Sequence, residues 1–246
     1  MSEFLIVRLS NNIADKTHWL VWSESQQEVI ASGELEANTP LSTLSTYAEQ
    51  RRTVVLAAAS SLVLSEVEIP AGASRQFESM LPYIVEDELA QDVDALHFTI
   101  LGKSAGKAQF CAIDREWLQA QLESLKQVGC NVFKVMPDVL ALPDAQGISA
   151  VELEGQWLLK KAPLSGMSLE SEWLPMATQS EWVKEGEEYL PLTAYSPLPE
   201  LSLAEGQEWQ NTTPELVMEL LAKGAVASKI NLLTGTFKPK SQLNRH

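Results

Sequence analysis

The element pattern predicts a mixed α/β, β-rich chain, and three observations carry that expectation. Residues 1–60 read as β-β-β-α-β, the first half of an RNase H-like lobe. From Leu62 to about Pro137 the order is β-α-β-β-α-β, the ferredoxin-like pattern. Beyond it, Ile148 to Leu153 and Gln156 to Lys160 form a hairpin about Glu154-Gly155.

Each element has its local reason. Phe4 to Leu9 is a short apolar strand, followed by strands over His18 to Trp22 and Glu28 to Leu35. Thr39 and Pro40 are placed as N-cap and first residue of a helix carrying Leu41, Leu44 and Ala48. Thr53 to Ala58 is apolar throughout, as a strand buried on both faces would be. Leu62 to Ile69 is a strand ended by Pro70. Ser74 to Ala90 has helical spacing at Phe77, Leu81, Ile84 and Leu89, with Pro82 as a kink. Leu96 to Leu101 and Gln109 to Ile113 flank a turn. Asp114 caps a helix striped with Leu118, Leu122, Leu125 and Val128, and Gly129 ends it. Val132 to Val135 is a strand, and Asp138 to Leu142 a helical turn. Leu169 to Leu174, Glu181 to Val183 and Tyr189 to Thr193 read as weaker elements. Thr213 is placed as the cap of a helix with Leu216, Val217, Leu220 and Leu221. Ile230 to Phe237 reads as a strand broken by Gly235. No sequence repeat of fixed period is visible.

The chain has 246 residues, 45% of them hydrophobic, so it can bury a core and is not wholly disordered. Its formal net charge of −15 repels phosphate backbones and anionic lipid, which argues against nucleic acid as a partner. The same field favours basic protein surfaces, or serves solubility alone. Cys111 and Cys130 fit no metal pattern and read as two buried thiols of a reducing compartment. The start carries neither a basic segment nor a long apolar run, so no signal peptide is expected. No stretch reaches the length of a membrane span. These features predict a soluble, cytoplasmic chain.

Catalytic chemistry finds little support. The three histidines, His18, His97 and His246, lie far apart and have no ligand spacing, so no metal is expected. No Gly-x-Ser-x-Gly elbow occurs. Gly102-Lys103-Ser104 resembles the end of a phosphate loop but falls in a hairpin turn. No cofactor is expected.

The charge pattern is more informative. From Gln76 to Gly102 there are six acids and no Lys or Arg. Glu86, Asp87, Glu88, Asp92 and Asp94 are the densest part. Helical neighbours point about 100° apart and do not converge on an ion, so the stretch reads as a solvated face or a docking face. The tail has the opposite sign. After Glu219 no acid occurs, and Lys238, Lys240 and Arg245 fit a basic juxtamembrane segment, 238–246.

Three segments carry a family resemblance. Leu81-Pro82-Tyr83-Ile84-Val85-Glu86-Asp87-Glu88-Leu89-Ala90, continued through Asp92-Val93-Asp94-Ala95-Leu96-His97-Phe98, resembles the signature of the L proteins of the type II secretion system. Pro137-Asp138-Val139-Leu140-Ala141-Leu142-Pro143 resembles a second block. Ile230-Asn231-Leu232-Leu233-Thr234-Gly235-Thr236-Phe237 resembles a third, which in that family precedes a single membrane helix. The resemblance implies an actin-like fold: a first RNase H-like lobe over 1–60, an extra ferredoxin-like domain over 61–137 and a second RNase H-like lobe over 138–237. It also implies a place at the cytoplasmic face of the bacterial inner membrane. There the cytoplasmic part would bind the N-terminal domain of the secretion ATPase. A membrane anchor and periplasmic part outside this sequence would pair with the platform M protein. Glu86, Asp87, Glu88, Asp92 and Asp94 are the candidate contact residues. A homodimer through an apolar strand edge or a Trp-bearing surface is a further expectation.

An actin-like fold raises a rival, a nucleotide-binding protein with a degenerate phosphate loop. Such proteins need an Asp-x-Gly-type loop after the first strand, for Mg²⁺ and for close amide approach to phosphate. Here that strand is followed by Ser10-Asn11-Asn12-Ile13-Ala14, and no glycine precedes Gly33. The second loop has only Gly155. The nucleotide site is read as lost.

Overall fold

The computed structural model describes residues 2–239. Its first sheet is built from β1 (Glu3–Leu9), β2 (Thr17–Ser23), β3 (Glu28–Leu35) and β4 (Arg52–Ala57), with the short helix α1 (Leu44–Ala48) before β4. An inserted unit follows, formed by β5 (Leu62–Glu68), α2 (Phe77–Ile84), β6 (Leu96–Ser104) and β7 (Lys107–Asp114). Helix α3 (Arg115–Gln127) leads to β8 (Asn131–Pro137), which returns to the first sheet. Its strand order is β3-β2-β1-β4-β8.

The remainder repeats that plan. It contains β9 (Ile148–Leu153), β10 (Gln156–Ala162), β11 (Ser165–Glu170), α4 (Leu174–Ala177), the small ladder β12 (Lys184–Glu185) and β13 (Glu188–Tyr189), β14 (Leu192–Ala194), β15 (Trp209–Asn211) and α5 (Val217–Ala227). The strand order is β11-β10-β9-β14-β15. Each sheet is thus an antiparallel meander whose first strand also takes a parallel neighbour, itself followed by another. The chain is mixed α/β and β-rich, with two RNase H-like lobes. The duplication is one of topology, which explains why no fixed period shows in the sequence.

The inserted unit departs from the ferredoxin-like expectation. The β-α-β-β-α-β order is present, but the sheet holds only β5-β7-β6. The fourth strand, β8, pairs in parallel with β4 instead. Burial explains the choice. Val135 packs into the cluster on one face of the first sheet and Met136 into the cluster on the other. A strand buried on both faces belongs inside two layers, as parallel strands do. Helix α3, which leads into β8, lays Leu118 and Leu125 on the first sheet. By pairing, α3 and β8 therefore belong with residues 1–60, and the insertion proper runs from β5 to β7.

Other local expectations also shift. The helix after Thr39 opens as a 3₁₀ turn over Leu41–Thr43 with Pro40 in the cap position, and Thr39 makes no cap bond. Thr213 caps nothing either. Helix α5 begins at Val217, where Met218, Leu221, Ala222 and Ala225 first meet a packing surface. A helical turn without such a surface gains too little to form. Leu169 to Leu174, expected as a weak strand or short helix, holds the end of β11, a 3₁₀ turn over Ser171–Trp173 and the start of α4. Residues 230–237 form no strand and end in a 3₁₀ turn, Gly235–Phe237.

The core has two sides because side chains alternate along each strand. Leu5, Val7, Trp19, Val21 and Val55 face α3 and the insertion, while Ile6, Leu20, Trp22, Val54 and Leu56 face α5 and the second lobe. Helix α5 is therefore the wedge between lobes. Gly224 permits its approach, since a Cβ there would lie 1.8 Å from the Ala141 carbonyl oxygen. The C-terminal end of α5 is held by Lys134 of β8, whose Nζ donates to the carbonyls of Ala225 (2.8 Å), Val226 (3.4 Å) and Ser228.

One buried charge pair joins the first strand to the link between lobes. Arg8 Nε donates to Asp138 Oδ2 at 3.1 Å, with the side chains 1% and 0% exposed. The second oxygen, Oδ1, accepts from the Ala59 amide at 3.0 Å. Burial pushes the Asp138 carboxyl up, and Arg8 and the Ala59 and Val139 amides draw it back. Arg8→Met or Asp138→Asn alone should each lower stability by about 3–5 kcal/mol, because either leaves a buried group without its partner. The double variant should lose clearly less than the sum, as read from urea unfolding followed by Trp fluorescence.

Candidate partner-binding face and interlobe cleft

The acidic residues lie on the insertion, along a ridge between α2 and β6. Helix α2 stops at Ile84 instead of continuing to Ala90. Three carboxylates follow at once, and acids at a helix C-terminus oppose its dipole. The chain instead makes two 3₁₀ turns, Glu86–Glu88 and Val93–Ala95. Asp92 closes the second by accepting the Asp94 amide at 3.0 Å.

Apolar residues underneath fix this path. Phe77, Leu81, Val85 and Leu96 are buried with Phe110 and Ala112 of β7. Between them Glu86, Asp87, Glu88, Asp92 and Asp94 are all exposed. None of the five forms an ion pair among the described residues. Tyr83, 68% exposed, stands on the same stretch. The fold does bring cations to its base: Arg115 donates to the Asp94 carbonyl at 3.2 Å, and Lys103 lies 5.5 Å from the Phe77 ring centroid. The one-signed run in sequence is thus less one-signed in space.

Of the basic tail, Lys238 is exposed, while Lys240 and Arg245 lie outside the described residues. Gly102-Lys103-Ser104 ends β6 within the β6–β7 hairpin, and Leu164 packs directly on Gly102. Cys111 and Cys130 are both buried free thiols, and burial raises both above the usual thiol range. Among the described residues no three His, Cys, Asp or Glu are grouped to hold a metal.

The cleft between lobes holds contacts that sequence reading did not find. Glu154, at the tip of the β9–β10 hairpin, reaches across to the first lobe. Its Oε1 lies 2.6 Å from His18 Nε2 on β2, and its Oε2 accepts the Lys16 amide at 3.3 Å. The sequence places Glu154 in the turn, and it does adopt a positive φ of 51°. Its side chain is nonetheless the bridge between two hairpins that are 136 residues apart in sequence. Only the topology aligns them.

Burial pushes the Glu154 carboxyl up, but the bonds from His18 and the Lys16 amide, with the charges of His18 and Arg8, outweigh it and hold it below its ordinary value of 4.5. A depressed carboxylate contributes stability that is present above its unfolded pKa and lost as pH falls through the folded one. The stability deficit of Glu154→Gln should therefore be full at pH 6 and shrink as pH falls below about 4.5. Urea unfolding of both proteins across that range is the check.

Comparison with known proteins places this architecture. Residues 5–240 match the family described as type II secretion system (T2SS), protein L. The type II secretion system protein L of Vibrio cholerae is 51% identical over 247 residues, all of this chain and 61% of that relative. Proteins of the same description from Klebsiella pneumoniae and Dickeya chrysanthemi are 29% and 27% identical, with 96% of this chain and 56% of each relative covered. The chain thus spans less than two thirds of the length of these relatives. The solved cytoplasmic domain of EpsL, an inner membrane component of the type II secretion system of Vibrio cholerae, superposes with a TM-score of 0.94 at 52% identity, covering 96% of this chain and 100% of that one. The chain belongs to the type II secretion system protein L family.

Proposed function

We propose that this chain is a non-catalytic adaptor at the cytoplasmic face of the inner membrane, where it binds the N-terminal domain of the secretion ATPase. The observation that carries this reading is the ridge of exposed, unpaired carboxylates on a rigidly backed insertion. Such a ridge presents its charge without reorganisation and steers a basic surface towards it. The long acidic signature and the similarity to an inner membrane component of the secretion system both support it. Among the described residues no helix is long and apolar enough to cross a membrane. Anchoring through a segment beyond the basic tail, and pairing with the platform M protein through parts outside this chain, complete the reading.

The cleft supports an adaptor over a nucleotide-binding protein. Glu154 puts a carboxylate between the two hairpins that would flank a phosphate chain, and like charges there repel. Calorimetry with Mg-ATP should show no binding tighter than millimolar.

Reversing Glu86, Glu88 and Asp92 to Lys should weaken binding of the ATPase N-terminal domain by about tenfold or more at low salt, with the loss shrinking as salt rises. The thermal midpoint should fall only slightly, because all three side chains are exposed and only Asp92 gives up a bond, the one from the Asp94 amide. Unchanged affinity at low salt would remove these residues from the contact.

A further inference from the structure

Residues Ile230–Phe237 form neither a strand nor a helix of α type, yet they are fastened at almost every position. Asn231 does the work of a strand with its side chain. Its Oδ1 accepts the Val135 amide at 3.1 Å and its own neighbour Leu233 at 3.0 Å, while Nδ2 donates to the Phe133 carbonyl at 3.0 Å. The Leu232 amide adds a bond to the Val135 carbonyl at 2.7 Å. These contacts cover the outer edge of β8 in the first lobe. Leu232 and Leu233 are buried in the cluster that α3 and β7 share with the first sheet.

The other side of the same segment grips the insertion. His97 of β6 lies with Nε2 2.8 Å from the Leu232 carbonyl oxygen. A carbonyl only accepts, so Nε2 carries the proton. Burial holds His97 below its ordinary value, so the ring is neutral. Two residues on, the Thr99 hydroxyl meets the Thr234 hydroxyl at 3.0 Å. Phe237 then packs edge-on against the His97 ring, with centroids 4.6 Å apart.

We propose that Ile230–Phe237 is a strap coupling the path of the chain beyond Phe237 to the insertion that bears the acidic ridge. Strand β6, which the strap grips, begins at Leu96, two residues after Asp94 on the ridge. The strap has a deep half and a shallow half. Asn231 to Leu233 is locked into buried surface, whereas Thr234 to Phe237 is half-buried or exposed and touches the insertion through side chains. A displacement of the tail therefore releases the shallow half first, and with it the Phe237 packing on His97 and the Thr234 contact with Thr99, so that β6 is left with only the His97 bond to Leu232. By reciprocity, whatever orders β6 and the ridge also favours the seated strap. The consequence holds whichever protein occupies the ridge, and it tests apart from the adaptor reading.

The test is amide hydrogen exchange on this chain alone, comparing wild type with Phe237→Ala and Thr234→Val. The expected result is at least about fivefold faster exchange along β6, with β9 and β10 unchanged. His97→Ala should give the same pattern, and His97→Gln, which keeps a donor towards Leu232, should restore much of the protection. Faster exchange confined to residues 230–239 would overturn the proposal, because the strap would then move without the insertion. A rise of equal size in β9 and β10 would also overturn it, as a general loss of stability.

Discussion

Everything in this fold is arranged around a charge pair that water does not reach. Arg8 leaves the first strand and Asp138 opens the link into the second lobe, so their bond sets where one half of the molecule begins relative to the other. Two desolvated ions tolerate little misalignment, since each is expensive to bury alone. The Ala59 amide on the remaining carboxylate oxygen adds the end of β4 to the same point. First strand, fourth strand and interlobe link are thereby referenced to one carboxylate.

Around that point the two lobes share one topology, and α5 fills the space between them. The bridge from Glu154 to His18 and the Lys16 amide closes the far side of the cleft. Here the cleft is spanned by side chains of the protein itself. The ridge of carboxylates sits elsewhere, on an insertion whose own core of Phe77, Leu81, Val85 and Phe110 keeps it in shape. The cleft is bridged, and the exposed charge is carried at the periphery.

Much of this was legible beforehand, and the misses have physical causes. Strands with clear apolar runs, the Asp114 cap and the Glu154-Gly155 turn depend on neighbours in sequence, and these stood. Membership of a sheet does not depend on neighbours: Val132 to Val135 has the same local pattern in either sheet, and only burial on both faces assigns it to the first. The caps expected at Thr39 and Thr213 failed because packing, which a single segment does not reveal, sets where those helices begin. The ridge residues were named from their unbroken charge, but Arg8, Asp138 and Glu154 were not. Their roles arise from partners 130 and 136 residues away.

The place of Asn231 on the edge of β8 bears on the order in which the molecule is made. The first sheet is threaded through most of the described residues: its opening strand is Glu3–Leu9, and the cover of its last strand comes from Asn231 and Leu232. An emerging chain could pair β8 with β4 once residue 137 is free, yet the outer edge of β8 would still offer bare amides and carbonyls to any passing strand. It is closed only when residues 231 and 232 arrive. The segment around residue 231 thus completes the first lobe, and a chain interrupted before it would carry an open strand edge.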